Sequence, residues 1–246
     1  MTLTDFFTSG LFGVLLGSGL EDGLKIALVI LLGAVCIAAP YLLGSMNFAI
    51  IISKVRYKSD IRNYGSGNAG ATNMMRTFGK SAAGLTFLGD ALKAFVAGMI
   101  GYATLGQFGA YLAGMFCILG HMFPIYYNFK GGKGVVTASI SVLMCNPFVF
   151  LILLLLFVII VGFTKYISLG SVMCMLIYPL ILHRINNIMG VPTGIELLIA
   201  IANAAMIIFM HRENIKRLLA GKENKFSFKK SVKAEDSAKA ENSTEK

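Results

Sequence analysis

Seven runs of apolar residues constrain this chain more than any other feature. They fall at about 26–52, 83–104, 110–128, 134–146, 148–164, 168–182 and 194–210. About 20 apolar residues are what an α-helix needs to cross a bilayer core. In lipid, every backbone N–H and C=O must be paired within the protein, which leaves helices and closed barrels as spanning structures. Only 14% of the residues are charged and 56% are hydrophobic, against roughly 25% charged in a soluble domain. The reading is an all-α integral membrane protein with seven transmembrane helices in one domain, residues 25–225. Residues 1–24 read as an extracytoplasmic N-terminal segment without the basic start of a cleavable signal. Residues 226–246 read as a disordered, charged cytoplasmic tail.

The formal net charge of +10 sets orientation before it suggests a partner. Lys54, Arg56, Lys58, Arg62, Arg76 and Lys80 follow the first run, Lys130 and Lys133 the third, and Lys165 the fifth. The connections on the other side hold only Lys25 and Arg184. Lys and Arg stay cytoplasmic, so the N-terminus is placed outside and the C-terminus inside. The charge is thus no sign of nucleic-acid binding; a basic inner face attracts anionic headgroups and phosphorylated substrates. Cys36, Cys117, Cys145 and Cys174 sit in apolar runs without metal-type spacing and read as packing residues.

The Gly-rich connections all fall on the inner face, as expected of an enzyme working at a membrane surface. A transporter of organic phosphates, the competing reading, more often carries ionisable groups at mid-depth. In "RNYGSGNAGATNMMRTFGK", residues 62–80, the G-x-G-x-x-G pattern lacks the strand and βαβ unit of a dinucleotide fold. "GKS" at 79–81 lacks the upstream Gly of a P-loop. What remains is a loop of small residues able to present backbone N–H groups to an anion, followed by a helix start. Gly65, Ser66, Gly67, Asn68, Thr72 and Asn73 supply neutral groups, and Arg62, Arg76 and Lys80 supply charge. In "FKGGKG", Lys130 and Lys133 flank Gly131 and Gly132, and Gly134 follows, a second loop suited to phosphate. In "HRENIKR", His211 and Asn214 stand three apart on one helix face, and Glu213 with Arg217 fits an i,i+4 ion pair. Asp90 and Lys93 read as a mutual pair, and His121 as a packed histidine.

Five blocks in order, "YLLGSMNFAIIISK", "DIRNYGSGNAGATNMMRTFGK", "ILGHMFPIYYNFKGGKGVVTA", "YISLGS" and "HRENIKRLLAGKE", closely resemble the bacterial acyl-phosphate-dependent glycerol-3-phosphate acyltransferases, the PlsY family. The likeness runs from about Pro40 to Phe226. Ala94 stands where the family usually has Gly, and Met210 where a basic residue often precedes the histidine. The resemblance implies a multi-pass enzyme of the inner (plasma) membrane with its active site at the cytoplasmic surface. It would transfer an acyl group from acyl phosphate to the 1-hydroxyl of glycerol 3-phosphate, the first step of phospholipid synthesis. The resemblance implies no metal or nucleotide cofactor, and membrane lipid as the surrounding partner. It carries over Ser66, Arg76, Lys133, Ser171, His211 and Asn214 as the catalytic set. The His-x4-Asp signature of thioester-dependent acyltransferases is absent: none of His121, His183 and His211 has an Asp nearby in sequence.

Overall fold

The computed structural model describes residues 8–191 and 193–226, and among these the regular secondary structure is helical throughout. The helices are α1 (Gly10–Leu16), α2 (Asp22–Ser45), α3 (Phe48–Tyr57), α4 (Ala71–Phe78), α5 (Lys80–Met122), α6 (Val135–Cys145), α7 (Pro147–Thr164), α8 (Ile167–Ile188), α9 (Ile195–Met210) and α10 (Arg212–Leu219). The expected disordered tail lies outside the described residues apart from Phe226, as do residues 1–7 of the N-terminal segment. The rest of that segment contains α1 and the first turn of α2.

Among the described residues, four helical stretches are long and apolar enough to cross a membrane: Asp22–Tyr57, Lys80–Tyr127, Pro147–Thr164 and Ile167–Ile188. The pair α9 and α10, bent by 59°, makes a fifth if taken as one. Helix α6 has 11 residues, about 16 Å at 1.5 Å per residue, roughly half a bilayer core.

Helix α5 is two helices in one. Lys93 Nζ lies 2.9 Å from His121 Nδ1, 28 residues on. A straight helix would hold them about 42 Å apart, so the chain must reverse between them. It does so at Leu105 and Gly106, whose dihedrals are not helical; Gly106 takes φ +61°. The legs 80–104 and 107–122 touch at Gly101 and Gly109, where a Cβ on either would fall within 2.3 Å of the other's carbonyl oxygen. Helix α2 packs as closely, with Gly44 on the Cys117 carbonyl and Gly120 on that of Tyr41. Small residues that let backbones approach are how helices associate when lipid removes the hydrophobic drive between them.

Helix α6 packs between α5 and α7, and α8 between α7 and α9. Their facing side chains, among them Ile118, Met122, Val149, Leu182 and Ile207, form the main core. The outward faces remain apolar: Leu155 is 62% and Leu180 70% exposed, as expected of surfaces that lipid covers. A second core of Ile50, Ile61, Ala69, Met74 and Ala82 anchors the polar loops at one end of the bundle. Asn47 joins the two levels. Its Oδ1 caps α3 by accepting from Ile50 N, and its Nδ2 donates to the Ala69 carbonyl.

Candidate active site

The loop before α4 is folded around Asn73, a residue 1% exposed. Its Nδ2 donates to the carbonyls of Ile61 and Tyr64, and its Oδ1 accepts from Ser66 N. Gly65, at φ +59°, passes so close to that amide that a Cβ would sit 2.3 Å from Oδ1. Gly67 also has positive φ, at +69°, the left-handed region that favours glycine. Asn73 and both glycines thus shape the loop, while Ser66, Asn68 and Thr72 face a cleft of about 390 Å³.

Helices α4, α6 and α8 all begin at this cleft, through Ala71, Val135 and Ile167, and none has a side chain capping its first turn. Each presents unpaired N–H groups and the positive end of its dipole. Arg76 and Lys133 join them on the cleft wall. Burial, with Arg217 and Arg76 nearby, brings the Lys133 ammonium down to about 8, against the opposing pull of Glu223. Burial likewise lowers the Arg76 guanidinium. Lys133 Nζ donates to Asn214 Oδ1, and Arg76 Nη2 to the Asn224 carbonyl at 3.3 Å. His211 sits at the bend between α9 and α10 instead of on one helix face with Asn214. Its Nδ1 lies 2.8 Å from the Ile207 carbonyl. A carbonyl only accepts, so Nδ1 carries the proton and the neutral ring keeps an acceptor at Nε2. Ser171 lines the cleft one turn into α8, its hydroxyl donating to Ile167 O at 2.9 Å.

Glu223 organises these groups, and the sequence reading missed it. Its Oε1 accepts from Ser168 Oγ at 3.0 Å and Asn214 Nδ2 at 2.8 Å, and its Oε2 from Arg217 Nε at 2.8 Å. Burial opposes ionisation, but these hydrogen bonds outweigh it and hold the carboxyl below its ordinary value. The "GKE" signal was visible at the end of the third motif, yet nothing local said that this carboxylate would turn back to the helix before it. The expected Glu213–Arg217 pair does not form: Glu213 takes Lys216 at 3.1 Å, and Arg217 takes Glu223.

Away from the basic end the cleft becomes an apolar slot. Val135 to Val142 line it from α6, Phe157 to Phe150 from α7, and Ser171 to Met175 from α8. The first two stretches each run about 10 Å into the bundle.

Several sequence candidates lie elsewhere. Arg62 does not line the cleft. It pairs with Asp60 at 2.7 Å and donates to the carbonyls of Tyr127 and Lys130, tying the two loops together. Its hydrogen bond, against the opposing effect of burial, holds the Asp60 carboxyl at about 2. Lys80 opens α5, and neither it nor Lys130 lines the cleft. Gly131 and Gly132 spend their N–H groups on the carbonyls of Met122 and His121. A Cβ on Gly131 would meet the His121 carbonyl at 2.1 Å. They are small so that the turn can rest on the end of α5, a different reason from the expected backbone approach to a ligand. Gly134, at φ +78°, caps α6 and does line the cleft. Asp90 and Lys93 form the expected pair with His121 buried beside them, and Asp90 and His121, unlike Lys93, line the cleft.

A family model described as glycerol-3-phosphate acyltransferase matches residues 34–221. A glycerol-3-phosphate acyltransferase of Finegoldia magna is 44% identical over 200 residues, covering 80% of this chain and 96% of the relative. One of Clostridioides difficile is 41% identical over 198 residues, covering 77% and 93%. The crystal structure of PlsY, an integral membrane glycerol 3-phosphate acyltransferase, in its glycerol 3-phosphate form has a TM-score of 0.69 at 38% identity. It covers 82% of this chain and 95% of that one. The lysophosphatidic acid form gives 0.68 at 37% identity, covering 78% and 94%. With the polar loops, the basic cleft and the long match in agreement, the chain belongs to the glycerol-3-phosphate acyltransferase family.

Proposed function

We propose that this protein transfers a fatty acyl group from acyl phosphate to the 1-hydroxyl of glycerol 3-phosphate, giving 1-acylglycerol 3-phosphate and inorganic phosphate. The observation that carries this reading is the two-part cleft: cations and three helix N-termini at one end, an apolar slot at the other. The relatives' names and the two PlsY forms, one with the acceptor and one with the acylated product, support it.

Acyl phosphate is a mixed anhydride and needs no covalent enzyme intermediate. The hydroxyl oxygen attacks the acyl carbon, a new C–O bond forms, and the bond to phosphate breaks with its electron pair leaving on phosphate. The hydroxyl proton ends on that departing phosphate. His211, with its acceptor at Nε2, orients the hydroxyl. Arg76, Lys133 and the open helix ends offset the repulsion between two phosphorylated anions. Ser66 and Ser171 add short-range hydrogen bonds, and holding both substrates in one cleft supplies the proximity effect. The acyl chain occupies the slot between α6, α7 and α8.

In the membrane, the seven apolar segments correspond to α2, the two legs of α5, and α6, α7, α8 and α9. The charge asymmetry directs the N-terminus outward and the cleft to the cytosol. The decisive experiment offers purified protein glycerol 3-phosphate with acyl phosphate, acyl-CoA or acyl carrier protein. Lysolipid and phosphate should appear with acyl phosphate alone. No lysolipid while acyl phosphate survives in the assay removes the reading.

A further inference from the structure

The first leg of α5 buries two charged side chains, Asp90 and Lys93, 2% and 4% exposed and 2.7 Å apart. Such burial is costly unless each charge is paired and hydrogen-bonded. Lys93 meets the condition. Its Nζ donates to the carbonyls of Gly44 and Met46, at 3.0 Å each, and lies 2.9 Å from His121 Nδ1. An ammonium has donors only, so Nδ1 accepts. The neutral ring then carries its proton on Nε2.

Gly132 packs its backbone beside Nε2. A Cβ at this position would lie 2.2 Å from Nε2 and 2.4 Å from the Ala69 carbonyl. Among the described residues nothing accepts from Nε2, and His121 and Asp90 both line the cleft that holds Lys133. A donor nitrogen whose tautomer is set by the buried Lys93 ammonium therefore belongs to a side chain that borders the anion site.

We infer that His121 contacts substrate, its Nε2–H donating to an oxygen of glycerol 3-phosphate, with Lys93 as the positioning residue that holds the tautomer against Asp90 Oδ1, 3.5 Å from Nδ1. This rests on the acyltransferase reading. The acceptor is the matching substrate because His121 comes from α5, and α6 separates that helix from α7, whose side chains line the acyl slot.

The test uses the full chain in lipid nanodiscs. His121→Leu removes the donor; His121→Gln restores an amide N–H near Nε2. His121→Leu should raise the KM for glycerol 3-phosphate roughly tenfold or more, the loss expected for a hydrogen bond to a charged ligand. Its kcat and its KM for acyl phosphate should stay within about twofold of wild type, and His121→Gln should recover most of the loss. The chain has three histidines, so in ¹⁵N-histidine-labelled wild type the His121 signal is identified by its loss in His121→Gln. It should show protonated Nε2 and bare Nδ1, and shift when glycerol 3-phosphate is added alone. Lys93→Met should move the proton to Nδ1, toward Asp90.

An unchanged KM in a folded His121→Leu overturns the inference, as does a rise confined to acyl phosphate. If His121→Leu does not fold, an Nδ1-protonated ring, or a signal indifferent to glycerol 3-phosphate, overturns it. Wild type that makes no lysolipid overturns the parent reading instead, while the labelled titration still decides on His121.

Discussion

Replacing Glu223 by Gln should damage both stability and turnover, although it removes a negative charge from a site meant for anions. The carboxylate side chain is 4% exposed and accepts three hydrogen bonds, from Ser168, Asn214 and Arg217. A glutamine has one accepting oxygen and one donating nitrogen. Whichever way its amide turns, a donor faces a donor, either at Arg217 or at Ser168 and Asn214. One unsatisfied buried donor costs about 1–3 kcal/mol. The lost ion pair adds up to about 1 kcal/mol, since Arg217 is 37% exposed and solvent screens it. The expected destabilisation is about 1–4 kcal/mol. If Asn214 turns its amide, its Oδ1 no longer meets Lys133, and the KM for the anionic substrates should rise roughly tenfold. Thermal unfolding in detergent micelles measures the first effect, and phosphate release from acyl phosphate with glycerol 3-phosphate the second. A variant as stable as wild type, with rates within about twofold, would refute the role given to Glu223.

Raising the pH through about 8 should deprotonate Lys133 in the empty cleft, because burial and the neighbouring arginines lower it to that value. The cation is present below this pH and lost above it, so kcat/KM should fall above pH 8, while kcat falls later because bound phosphate favours the ammonium. Folding stability shows the opposite sign: the unfolded chain, with lysine near 10.4, binds more protons between those values, so Lys133 makes the fold relatively more stable as pH rises through them. Gly132→Ala should insert well-stocked protein into the membrane but reduce kcat/KM about 100-fold. The 2.2 Å and 2.4 Å overlaps force the turn, and Lys133 with it, to shift by about 1 Å. Arg62→Ala should lower stability by about 1–2 kcal/mol, from the lost bonds to Asp60 and two carbonyls, and leave both KM values within about threefold.

The helices were legible because lipid offers few alternatives: an apolar run of sufficient length becomes a helix. The loops were legible as phosphate-friendly because small residues and cations alternate there. The division of labour inside them was not. Arg62 and Arg76 look alike in sequence, and only the fold puts Asp60 and two carbonyls around one and the cleft beside the other. Gly131 and Gly132 are tight because the turn folds back onto the helix end before it, at His121 and Met122. The reversal at Leu105 and Gly106 explains why Asp90, Lys93 and His121 meet. A spacing of three predicted the first pair, but no local pattern could bring in the third.

Counting charges alone, Glu223 opposes the function, since its carboxylate repels phosphorylated substrates. The ionisation of Lys133 reverses that judgement. Burial, Arg217 and Arg76 all push the ammonium toward neutrality, and Glu223 pulls the other way. At about 8, the group remains mostly protonated at neutral pH. Without Glu223, Lys133 would titrate closer to neutrality, and the empty site would lose part of the cation it needs to capture an anion. A site of concentrated positive charge, built at the end of a membrane bundle where burial is high, thus needs an internal carboxylate to stay charged. Glu223 lines the cleft, but on the far side of Asn214 from Lys133, and its oxygens are taken up by hydrogen bonds from Arg217, Ser168 and Asn214.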